Sequence, residues 1–167
     1  LRAELLNVPN LQFSRVSYVT VKVDSKATNE YEDFFKRMSI RAEDRFQRDE
    51  INRRIGEMGE IYGAQDEFFE RENLAESRAR PHRRLLASEG DGCLGVCLCC
   101  IRLSEDLVVL LNGDRRTARW VGDCPICSPH YDLASRISDA IYDAQMDGLI
   151  ELRDGAILAE AGFSLKL

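Results

Sequence analysis

Residues 13 to 23 alternate polar and apolar side chains, with Val16, Val19, Thr20, Val21 and Val23 supplying β-branched bulk. That pattern predicts a half-buried strand. From residue 28 to about 62 the period changes: Tyr31, Phe35, Met38, Ala42 and Phe46, then Ile51, Ile55, Met58 and Tyr62, recur on one face of a helix. The spacing predicts one long helix, or two joined near Arg48 and Asp49, with Gly56 and Gly59 weakening the last turns by up to about 1 kcal/mol each. Gly63 interrupts, and Ala64 to Ala79 reads as a further helix through Phe68, Phe69 and Leu74, closed by Pro81. Leaving the large side chains of the first stripe in water would forgo about 1.5 to 3 kcal/mol apiece. The stripe formed by Phe35, Met38, Ile51, Ile55 and Met58 is therefore expected to meet the folded-back second helix, another copy of the chain or a protein partner.

Beyond the Ser88-Glu89-Gly90-Asp91-Gly92 joint the pattern shortens. Leu107 to Leu111 and Thr117 to Val121 read as strands turning at Asn112-Gly113, a strong hairpin signal. Ser128 as N-cap, Pro129 in the first turn and a stripe of Leu133, Ile137, Ala140, Ile141 and Ala144 predict a helix. A last hairpin is expected around Asp154-Gly155. The fold class read from these elements is α+β, divided into a strand plus helical region (1–87) and a smaller α+β module (88–167).

Composition narrows the class of function. With 167 residues and 44% hydrophobic, the chain can bury a core. Its 29 acidic against 23 basic residues, net −6, exclude a generally basic coat for polyanions. No stretch approaches the roughly 18 to 20 apolar residues of a membrane span, and Leu1-Arg2-Ala3-Glu4 lacks the layout of a secretory signal. A soluble protein of a reducing intracellular compartment, cytoplasm or nucleus, is expected, with no membrane partner.

All six cysteines fall between Cys93 and Cys127, unlike the dispersed pattern of a disulfide scaffold. Cys97 and Cys100 form one C-x-x-C, Cys124 and Cys127 a second, 23 residues apart. Two such turns place four thiolates at about 2.3 Å from one tetrahedral Zn2+. Cys93, Cys99 and His130 are alternative ligands, Cys93 or Cys99 for a member of the first pair and His130 for Cys127. The order of knuckle, hairpin, knuckle and helix resembles the treble-clef and zinc-ribbon group of four-cysteine modules over roughly residues 93 to 146. That resemblance implies a structural zinc and leaves function open, since such modules serve protein contacts, nucleic-acid contacts and some nucleases.

Only two histidines exist, His82 and His130, and no phosphate-loop, dinucleotide or H-E-x-x-H motif is present, so no enzymatic activity is expected. The densest basic block holds Arg78, Arg80, Arg83 and Arg84, and Arg115, Arg116 and Arg119 gather around Trp120. These arginines define the alternative to protein binding, a nucleic-acid or acidic-partner surface combining phosphate contact with stacking. The final helix and hairpin also resemble the end of a winged-helix domain, although that helix carries Asp132, Asp139, Asp143 and Asp147 against Arg136 alone.

Overall fold

The computed structural model describes residues 1–70, 83–88, 94–120 and 123–167. Its strands are β1 (Arg2–Gln12), β2 (Ser17–Val23), β3 (Arg83–Ala87), β4 (Val96–Ser104), β5 (Leu107–Arg115), β6 (Ile150–Arg153), β7 (Ala156–Ala159) and β8 (Leu165–Lys166). The helices are α1 (Glu30–Arg37), α2 (Ala42–Glu57) and α3 (Ser128–Met146), with a π-helical turn at Met58–Tyr62 and a 3-10 turn at Asp66–Phe68. Six strands form one sheet in the order β3-β4-β5-β2-β1-β8, and β6 and β7 form a separate hairpin. All named pairings are antiparallel except β2 with β5, where Ser17, Tyr18 and Val19 stand beside Leu107, Val108 and Val109. The fold is α+β.

Period-two alternation explains both cores. Val19, Val21 and Val23 of β2, Cys97, Cys99 and Ile101 of β4, and Leu107, Val109 and Leu111 of β5 turn to the face covered by α3. Tyr18, Leu98, Cys100, Val108 and Leu110 turn to the other face, covered by α1 and α2. A strand buried on both faces needs an unbroken apolar run, which Leu107 to Leu111 provides. The sheet draws strands from both sides of residue 88.

Several expected elements change form. The long helix breaks between Arg37 and Ala42, earlier than Arg48 and Asp49. At the break the Arg48 guanidinium lies 3.9 Å from the Phe35 ring centroid and donates to the Phe35 carbonyl and the Ser39 hydroxyl. Met38, Ile51, Ile55 and Met58 are at most 4% exposed against the sheet, so they are core residues and not a partner surface. Phe35 alone of that set stays partly outside. The helix expected from Ala64 to Ala79 is absent over its described part: after Asp66–Phe68 the chain extends, and Glu70 bridges to Leu85. Leu74 lies outside the described residues.

Asn112-Gly113 is not a turn either. The chain reverses at Glu105 and Asp106, and both residues sit inside β5. Gly113 is required there by close approach, since a Cβ would fall 1.9 Å from the Cys97 carbonyl oxygen. Two steps along β4, Leu98 to Cys100, match three along β5, Gly113 to Leu110, which marks a bulge. The strand ending at Val23, the helix from Ser128 and the hairpin at Asp154-Gly155 form as the pattern predicts. Asp154 and Gly155 both take positive φ, as the tight turn demands.

Candidate functional site: a buried thiol cluster

β4 carries Cys97 on the α3 face, opposite Asp114 of β5 and Ala87 of β3. Cys124 and Cys127 lie in the turn that starts α3, with Cys127 as the residue preceding its first turn. The Ser128 amide donates to the Cys124 carbonyl at 2.8 Å, closing the turn and directing both thiols inward. There the Cys127 thiol makes side-chain hydrogen bonds with those of Cys97 and Cys124. All three residues are fully buried and free of disulfides.

The electrostatics of the two end thiols are opposed. Burial acts to raise the Cys124 thiol, but the Thr117 hydroxyl and amide and the Cys127 amide and thiol hydrogen-bond to it and bring it down from 9.0 to about 7. The Thr117 amide stands 3.4 Å from Cys124 Sγ, as does its hydroxyl. Cys127 is pushed up, first by its hydrogen bond with Cys97 and then by burial. The thiols meet through hydrogen bonds: among the described residues no group of three or more His, Cys, Asp or Glu side chains is disposed around a metal-sized centre.

Cys100 does not join them. Between Cys97 and Cys100 the chain is a strand rather than a knuckle, so their side chains emerge on opposite faces and one ion cannot touch both. Cys100 packs instead near Tyr18 and Tyr31, and burial pushes all three upward, Tyr31 to about 12. Cys99, two residues from Cys97, shares its face. Cys93 lies outside the described residues. His130 faces charges: burial lowers it, Arg37 and Lys26 add to that, and Asp114 and Glu30 oppose it.

Those charges form a polar cluster that the sequence pattern did not signal. Asn112 Nδ2 donates to Glu30 Oε2 at 3.0 Å and Asp33 Oδ2 at 2.9 Å, while its Oδ1 accepts from Arg37 and from the Gly113 amide. Arg37 also pairs with Asp33 at 2.9 Å and Asp114 at 2.7 Å, and Lys26 pairs with the fully buried Glu30. The cluster ties α1 to the end of β5 with its buried groups mutually satisfied.

The arginine set is also drawn inward. Arg83 lies over the Tyr131 ring at 3.8 Å and donates to Tyr131 Oη and Ser135 Oγ. Arg84 pairs with Asp66 at 2.8 Å, Arg115 with Asp44 at 2.5 Å and Glu43 at 3.4 Å, and Arg116 with Glu70 at 3.2 Å. These four are structural ties, which corrects their expected place on a phosphate-binding surface. Arg119 is exposed beside Trp120, its guanidinium 5.0 Å from the ring. Arg78 and Arg80 lie outside the described residues. No described helix is long and apolar enough to cross a membrane. Set against known protein families, curated proteins and solved structures, the chain matches none.

Proposed function

We propose that the chain is a non-enzymatic, zinc-stabilised protein-interaction module, with Zn2+ held by Cys97, Cys124 and Cys127 and the fourth position taken by Cys99. The observation that carries this reading is the meeting of three buried thiols from two separate segments, with two backbone amides, Thr117 and Cys127, turned toward the Cys124 sulfur. Amide donors of this kind favour thiolate and orient it, which is the support a ligating cysteine needs. Cys99 takes the place first expected for Cys100 because it emerges on the same face as Cys97. Zinc bound there would fasten the start of α3 to β4 and supply folding energy to that face.

A redox dithiol is less well supported, because Cys124 and Cys127 have no exposure through which a thiol partner could reach them. The nucleic-acid alternative keeps Arg119 and Trp120 but loses Arg83, Arg84, Arg115 and Arg116 to internal partners. A binding role is favoured by large apolar side chains left outside both cores, including Ile40, Phe46, Met146 and Leu149.

Native mass spectrometry of protein purified without chelator tests the metal. One zinc per chain is expected for the wild type and for Cys100→Ser, and none for Cys124→Ser. A metal-free wild-type chain would overturn the zinc assignment.

A further inference from the structure

β1 and β8 place Arg2 and Lys166 directly opposite each other. Like charges facing across a strand pair repel. Among the described residues neither cation has a carboxylate within ion-pairing distance; the Arg2 guanidinium donates to the Ser164 hydroxyl, at 3.1 Å. Both line one wall of a groove of about 540 Å³. The opposite wall is the C-terminal end of α3, where Asp143 and the capping residue Asp147 stand one helical turn apart, exposed and likewise without a cationic partner. Between the walls the floor is apolar, with Ala140, Ala144 and Phe163, and the 56% exposed Leu149 at its border.

We propose that a second copy of this chain docks on this groove about a two-fold axis, the acidic wall of each copy against the basic wall of the other. A two-fold operation brings the same patch from both partners face to face, so a patch must be complementary to itself. A groove with unpaired carboxylates on one side and unpaired cations on the other meets that condition, and an exposed leucine gives each copy an apolar group to bury. A wholly acidic or wholly basic partner surface would satisfy one wall and be repelled by the other. The inference rests on the interaction-module reading and is independent of the metal.

The test is sedimentation velocity and light scattering over about 1 to 300 μM chain, the range that brackets a small, polar interface. The wild type is expected to move from a mass of 19.0 kDa toward twice that value, more readily at low salt. Asp143→Lys with Asp147→Lys, and separately Arg2→Glu with Lys166→Glu, should each weaken self-association by roughly 100-fold, since every attraction across the axis becomes a repulsion. Mixing the two variants should restore a heterodimer of wild-type affinity. All four positions are on the surface, so folding is preserved, and circular dichroism and zinc content on the same samples verify it. A wild type that stays monomeric throughout overturns the proposal, including the case where a foreign peptide is the true occupant. So does a dimer indifferent to both charge reversals. A zinc-loaded monomer leaves the module reading standing, whereas a metal-free dimer supports the docking and removes the zinc.

Discussion

Under α1 and α2 the sheet is closed by bulk: Tyr18, Phe34, Ile51, Ile55 and Met58 are all at most 2% exposed and fill that side with rings and branched chains. Under α3 the same sheet is closed at the Cys97 end by sulfur, with Cys97, Cys124 and Cys127 meeting where larger groups would otherwise be needed. One strand serves both arrangements, since β4 presents Cys97 and Cys99 to one side and Leu98 and Cys100 to the other. The contrast teaches that identical residue types do unlike work. Cys100 is a small hydrophobe in a self-sufficient core, whereas the other thiols occupy a place where burial and neighbouring thiols shift their protonation.

The strongest way to break the contrast is to attack the self-sufficient side. Ile55→Asp places a carboxylate at a fully buried position without a partner, and a loss of about 4 kcal/mol or more is expected, comparable to the stability of a domain of this size. Urea denaturation should find the variant largely unfolded, and near-wild-type stability would refute the assignment of Ile55 to the core. Next in size is Cys124→Ser, expected to cost about 3 kcal/mol through loss of the proposed zinc. Hydrogen exchange should show the loss concentrated in α3 and around Thr117, with α1 and α2 retaining protection. Cys100→Ser is its control, costing about 1 to 2 kcal/mol for a buried hydroxyl while keeping the proposed metal. If both serine variants gave the same exchange pattern, the two sides would be one undivided unit.

Gly113→Ala is expected to cost about 2 kcal/mol, because its Cβ cannot coexist with the Cys97 carbonyl without spreading β4 from β5. Thermal unfolding would measure it, and a neutral result would mean that the two strands are not held so close. The smallest effect is on pH dependence of the reduced, metal-free protein. Cys124 sits at about 7 when folded against 9.0 unfolded, so its contribution is complete above pH 9 and is lost as pH falls through 7. Cys127 and Cys100 are raised, so theirs is complete below pH 9 and is lost above it. Urea midpoints should therefore rise from pH 7 to 9 and fall beyond, with Cys100→Ala reducing only the fall.

Local patterns were legible wherever a single segment determines its own conformation. β2 announces itself by alternation, α3 by Pro129 and its apolar stripe, and the last hairpin by Asp154-Gly155. The misreadings arise where a distant strand decides. Asn112-Gly113 has the composition of a turn, but the glycine answers the approach of β4 and the asparagine links the acids of α1. Cys97 to Cys100 has knuckle spacing, but pairing with Ala87 and Arg84 of β3 holds it extended. Arg83 and Arg84 look like a surface block because nothing nearby in sequence reveals Tyr131, Ser135 or Asp66 as their partners. β1, with Pro9 and several polar residues at the sheet's margin, carries too weak an alternation to stand out. Of the thiol cluster, the nearness of Cys124 to Cys127 was readable from spacing. Which thiols join them was not, because that depends on the side of a strand to which each points.

The parallel contact of β2 with β5 brings Ser17 beside Leu107, and the chain between them must be made before the centre of the sheet can close. On a ribosome, β1, β2, α1 and α2 emerge before β5, with one margin of β2 carrying unanswered amides and carbonyls until β5 arrives. During synthesis at about 5 to 20 residues per second, that wait lasts several seconds. The interval before β5 emerges is the period in which intermolecular strand pairing competes with the native fold.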